Sequence, residues 1–395
     1  MNGMNGMIRK YAFARWIALC SFSALALVPG ARAQAIPHYK VDPNWPKQLP
    51  NNWMMFNAPG ILVDKKDHIW VIQRPRQMPG ADAAAAQTPP TGECCVPAPS
   101  VIEFDSQGNV LKSWGGPNFV PDWPILEHGL TIDADGNFWI GGNYEQGPGA
   151  QLAAPIAKPK DLSLADRQVL KISPDGKVLL EIGHPSSGPA NNQDTTILGG
   201  PAEVAVDEVA HEVYIADGYI NRRVVVYDSN NGTFKRGWGA YGMPLSEIEN
   251  GKPPARDTAA PDKQFRGPMD SIDISDDGLV YVTDRTGDRV QIFTKEGKFM
   301  KEFVILPKTQ GTGSAWTTTF SRDKQQKYLY VCDGFNGLIH ILNRQDGTEL
   351  GTMGHKGPNA GQFNQIEKIV FDSHGNMYTT EVAPNSRLQK FVPVK

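Results

Sequence analysis

Three residues of this chain hold the same place relative to a recurring turn, and all three could ligate a cation. Counting five residues back from the turn residue lands on His128 from Asp133, on Asp270 from Ser275 and on Glu367 from Asp372. In the intervening copies of the motif the same count reaches Pro59, Ala202 and Trp316. One imidazole and two carboxylates from alternate copies could hold a divalent cation with positions left for water or substrate. So oxygen-rich a set shifts preference from zinc toward calcium, magnesium, manganese or iron(II). The plainer reading is that the three polar groups solvate a water-filled channel, and a slip of one residue would replace Asp270 by Met269. Arg74, Tyr219 and Arg285 follow the strand ends WVIQR, YIADGY and YVTDR. A tyrosine beside arginine can take a proton if its pKa is lowered, and arginine grips a carboxylate through two parallel hydrogen bonds. Asp217, Asn221, Arg223, Asp284 and Arg289 read instead as braces between neighbouring repeats.

The element that positions these residues recurs six times: ILVDKKDHIWV (61–71), LTIDADGNFWI (130–140), VAVDEVAHEVYI (204–215), IDISDDGLVYV (272–282), TTFSRDKQQKYLYV (318–331) and IVFDSHGNMYT (369–379). Each copy is two alternating strands about a polar turn, the pattern of a β-hairpin. A second hairpin with a glycine-containing turn follows each of the first five, as in VLKISPDGKVLLEIG (169–183). Two hairpins make a four-stranded blade that cannot bury both faces alone, so the blades must stack, and radial stacking closes a ring. The spacing predicts an all-β, six-bladed β-propeller of the NHL-repeat type over 34–395. The last copy ends one strand short at RLQKFVPV, and YKVDPNWP (39–46) is available to supply that strand and close the ring. Extra length falls in loops 74–100, 141–167, 184–200 and 240–267, the expected place for binding loops or lids.

The opening residues read as a signal peptide over 1–33. Arg9, Lys10 and Arg15 precede an apolar run from Trp16 to Val28, and Ala31-Arg32-Ala33 is a cleavage site. A secreted or periplasmic protein is expected, with no transmembrane segment once the signal is removed. The net charge is −3, and the signal carries four basic residues and no acid. An acidic body of this kind argues against a nucleic-acid partner. Three cysteines remain: Cys332 within a strand, and the adjacent pair Cys94-Cys95, which reads as a local loop staple or a soft-metal site.

The segments EHGLTIDADGNFWI (127–140), VAVDEVAHEVYIADGYINRRVVVYD (204–228) and VYVTDRTGDRVQIF (280–293) resemble the lyase domain of the peptidyl-α-hydroxyglycine α-amidating lyases. That resemblance implies a six-bladed propeller that cleaves an α-hydroxyglycine-terminated peptide into a peptide amide and glyoxylate at a zinc site. It makes His128 the first zinc histidine, Tyr219 the catalytic tyrosine, and Arg285 and Arg74 active-site arginines. The chain departs from the family where the second and third zinc histidines stand, reading Met269-Asp270 and Ile366-Glu367. Lys368 replaces a calcium-binding aspartate, so an ammonium group is expected there in place of calcium. A small-molecule or peptide substrate carrying a carboxylate and a hydroxyl is the expected partner, acted on by Tyr219, Arg74 and Arg285 beside a cation on His128, Asp270 and Glu367. The alternatives are a gluconolactonase-type lactone hydrolase, which suits acidic metal ligands, and a non-catalytic propeller that binds a protein or ligand.

Overall fold

The computed structural model of the protein describes residues 36–145, 152, 162–256 and 262–394. The signal-peptide reading of 1–33 therefore lies outside the described residues. Among those described, no helix is long and apolar enough to cross a membrane.

Six antiparallel four-stranded sheets account for almost all of the regular structure, and they form a six-bladed β-propeller. The innermost strand of each is Gly60–Val63, Glu127–Ile132, Pro201–Asp207, Ile272–Ile274, Thr318–Phe320 and Ile366–Phe371. The first five blades run outward in chain order. In the sixth, Tyr39–Asp42 pairs with the last strand, Leu388–Pro393, joining Tyr39 to Pro393 and Asp42 to Lys390.

The turn residues explain why these segments become hairpins. The carboxylate of Asp133 accepts the backbone N–H groups of Asp135 and Asn137, and Asp64 and Asp372 do the same in their own turns. A side chain that satisfies the turn's free donors frees the backbone to reverse direction tightly. The core lies between blades. Trp139, Tyr214, Tyr281, Tyr330 and Tyr378, one from each of the last five copies, are almost wholly buried there. In the second copy of the glycine-turn hairpin, alternation sends Leu170 and Ile172 into one face-to-face cluster with Ile72 and Phe138, while Val169 joins Trp139 in the next.

A recurring buried brace ties the strands to the loops at the site end of the blades. The Asp217 carboxylate takes the Arg223 Nε–H at 2.8 Å and the Asn221 amide at 2.8 Å, and it also accepts the Gly199 N–H. The Asp284 carboxylate takes the Arg289 Nε–H at 2.9 Å and the N–H groups of Arg266 and Gly267. Glu381 with Arg387 and Asp333 with His340 repeat the scheme in the last two blades. Both members of the Asp217–Arg223 pair are fully buried. Leaving Asp217 uncompensated in that setting costs about 3–5 kcal/mol. Arg223→Ala is expected to lower the unfolding free energy measured in urea by that much, whereas Arg344→Ala, at a pair whose Asp277 partner is exposed, is expected to cost clearly less, since a solvent-screened ion pair contributes about 1 kcal/mol or under. Equal losses in the two variants would refute the assigned role of the brace.

Candidate functional site

The braces deliver the expected residues to one end of the channel. Past Asp217, Tyr219 is held by its backbone N–H on the Gly200 carbonyl. Past Asp284, Arg285 is held by its N–H on the Pro268 carbonyl, two residues before Asp270. Gly129 brings the second and third blades together: it has φ +60°, and a Cβ there would lie 2.3 Å from the Ala202 carbonyl oxygen. That carbonyl accepts from His128 Nδ1 at 3.1 Å.

This bond sets the tautomer. With the proton on Nδ1, Nε2 carries a lone pair, and the Tyr219 hydroxyl donates to it at 2.9 Å. Glu367 Oε1 lies 3.7 Å from the same nitrogen. Burial, and then the positive charges of Arg74, Arg285 and Lys368, hold His128 well below its ordinary pKa and keep it neutral. Burial raises Tyr219 far above the usual phenol range, and the Asp270 carboxylate adds to the rise. The lowered pKa expected beside the arginines is therefore reversed: desolvation outweighs them, and Tyr219 is a proton donor at neutral pH. Glu367 is pushed up to about 8 by burial and by Asp270, so its carboxyl group is protonated at pH 7.

Asp270 faces the mouth, and Met269 lies in the apolar core between blades. Asp270 Oδ2 accepts from Arg285 at 2.8 Å, while its Oδ1 and the Arg285 Nε are buried without partners. The Arg285 guanidinium lies 4.4 Å from the centre of the Trp316 ring. Arg74 donates from Nε to the Glu127 carbonyl at 2.6 Å and from Nη2 to Asn143 Oδ1 at 3.1 Å. All six expected residues thus gather at the mouth, but the expected three-way cation site does not assemble. Among the described residues, the group of three or more potential ligands whose donor atoms lie within 4.8 Å of one another is Asp64, His68 and Glu103. That group sits at a turn of the first blade, where both Asp64 oxygens already accept hydrogen bonds from Lys66, His68 and Trp70. At the mouth His128 and Glu367 come within 3.7 Å of each other, and Asp270 lies near enough to Glu367 to raise its pKa, but among the described residues the three donor atoms do not all close to within 4.8 Å. Asp270 is drawn to Arg285, so these residues do not fit a three-ligand metal.

Deeper in the channel Lys368 Nζ contacts Glu203 Oε1, where the sequence led us to expect an ammonium group in place of calcium. Beyond that pair a cavity of about 570 Å³ runs to the turns at Asp276 and Asp323. Asp273 lines it and accepts from the Ser271 and Thr318 hydroxyls. Three participants were not picked out in the sequence: Asn143 against Arg74, Trp316 beneath Arg285, and Asp273. Trp316 already stood in the counted register. Its aromatic face was the available signal, since arginine stacks readily on indole.

No family model matches the chain. It is 27% identical over 269 residues to peptidyl-glycine alpha-amidating monooxygenase B of Xenopus laevis, an alignment covering 67% of this chain and 26% of that protein. The mouse peptidyl-glycine alpha-amidating monooxygenase is 30% identical over 201 residues, covering 50% of this chain and 16% of its own length. The chain resembles the amidating enzymes. It spans about a quarter of the length of the Xenopus proteins that it matches. Among solved structures, a streptogramin B lyase superposes with a TM-score of 0.51 at 11% identity, covering 90% of this chain and 98% of that one, which bears on the fold alone.

The channel makes a pH-dependent prediction. Burial raises Asp273 from 3.8 to about 6, against the two hydroxyls that lower it. The folded state keeps this proton where the unfolded chain releases it, so stability falls as pH rises from about 4 to 6 and stays lower above. Asp273→Asn is expected to gain about 1–3 kcal/mol at pH 8 and little at pH 4, read from urea unfolding at both pH values. A pH-independent difference would refute it.

Proposed function

We propose that this protein is a lyase-type enzyme working at the channel mouth on a small molecule or peptide end whose terminal carbon carries both a hydroxyl and a carboxylate. The observation that carries this reading is the 2.9 Å hydrogen bond from the Tyr219 hydroxyl to a neutral His128, with Glu367 beside the same nitrogen. Similarity to the amidating monooxygenases supports it. The apolar opening segment and the joined Cys94-Cys95 pair support export to an oxidising compartment.

For an N-acyl-α-hydroxyglycine the chemistry balances on this chain's own groups. Tyr219 takes the substrate hydroxyl proton as it passes its own to His128 Nε2. The C–O bond becomes a carbonyl, the C–N bond breaks, and Glu367 gives its proton to the departing nitrogen. His128 then returns a proton to Glu367. An amide and glyoxylate leave, and no water is consumed. Arg285 offers its unpartnered Nε–H to the substrate carboxylate, as a charge-assisted hydrogen bond.

The test is glyoxylate release from N-benzoyl-α-hydroxyglycine. Wild-type protein is expected to turn it over, and Tyr219→Phe to lose about 10²–10⁴-fold in kcat. The acid must hold its proton, so kcat/KM is expected to fall as pH rises through about 8, the value to which Glu367 is pushed, and Glu367→Gln is expected to abolish that alkaline limb along with most of the rate. A wild-type rate equal to buffer would sink the reading.

A further inference from the structure

We propose that side-chain cations, with Arg285 foremost, replace a resident divalent metal at this mouth, so that the site is built for elimination and holds no stoichiometric metal. The inference rests on the mouth being the active site. Both nitrogens of His128 are engaged, one with the Ala202 carbonyl and the other with Tyr219. Asp270 is engaged by a guanidinium that cannot easily swing away. Arg285 lies against the Trp316 face, and Trp316 is 2% exposed and fixed by its Nε1–H on the Gly313 carbonyl at 2.8 Å. A Cβ at Gly334 would lie 2.5 Å from the same indole, so the ring is wedged from a second side. Arg285 is therefore clamped between an aromatic plate and a carboxylate, and its buried Nε–H is left without a partner.

The charges agree with this arrangement. The carboxyl groups around the axis are Asp270, Glu367 and Glu203, and the cations are Arg74, Arg285 and Lys368, with Lys368 already on Glu203. Glu367 holds its proton, and Lys368 is spent on Glu203 with its own pKa lowered to about 7 by burial, so an added divalent ion would meet two guanidiniums and a single carboxylate already paired with one of them. A metal would mainly offer two things here, a Lewis acid for the substrate oxygens and an activated water. A fixed guanidinium supplies directional positive charge for a carboxylate but cannot generate hydroxide. Elimination needs only the former.

The experiment is elemental analysis of the full chain purified without a metal-binding tag, together with thermal unfolding and zinc titration. Expected are less than about 0.1 equivalent of zinc, iron, manganese or calcium, and a Tm unchanged by millimolar chelator. Arg285→Met, which frees Asp270, is expected to bind zinc about tenfold or more tighter than wild type, and His128→Ala in that background to remove the gain. About one equivalent of metal in the wild-type protein that is lost in His128→Ala overturns the proposal, as does a chelator-dependent fall in Tm. The wild-type measurements decide it even if Arg285→Met fails to fold. Absent glyoxylate release from metal-free protein sinks the proposed function alone, and stoichiometric metal in a working enzyme sinks this inference alone.

Discussion

A buried carboxylate at the end of a second strand, gripping an arginine on one side and loop N–H groups on the other, is the constraint on which this molecule rests. In the third and fourth blades it fixes the start of the inner strand and the residue just beyond the second strand at once. Those are the places of Ala202 with Tyr219 and of Asp270 with Arg285. An ion taken fully out of water is tolerable only when it is paired and hydrogen-bonded, and here three donors converge on each carboxylate. The geometry of the mouth follows from that demand, because the loops cannot shift without stranding a buried charge.

The same physics governs the mouth, with a different outcome. There the polar groups are incompletely satisfied: Asp270 Oδ1, Arg285 Nε and Glu203 Oε2 are buried without partners. Burial also pushes Glu367 and Tyr219 toward their protonated forms and His128 toward its neutral one. Opposed shifts of this kind set up proton donors beside an acceptor at neutral pH, which is the arrangement acid–base chemistry needs. The bracing pairs, by contrast, use up their hydrogen bonds and have nothing left to offer a ligand.

The fold was legible because its information is periodic. Six copies of one hairpin pattern, each with a side chain that satisfies its own turn, leave little freedom once blades must cover each other's faces. The register was legible too: the count from the turn residue brought His128, Asp270 and Glu367 to one end, and it kept Met269 in the core. What each side chain would do there was not legible. Asp270 and Glu367 are both acids in equivalent positions, yet one meets a guanidinium and the other does not. That difference comes from Arg285 lying over Trp316, a contact between blades that linear spacing does not encode. Tyr219 was misjudged in direction for a related reason. Sequence reveals neighbouring charges but not how far a phenol is withdrawn from water.

The pairing of Tyr39–Asp42 with Leu388–Pro393 has a consequence for how the protein comes into being. The seam of the ring joins a strand that precedes the first blade in the chain to one that follows the other five. Until residue 393 emerges, the sixth blade lacks its outer edge partner, and the first blade has no finished neighbour to lean on. A growing chain can therefore form separate hairpins but not the closed circle.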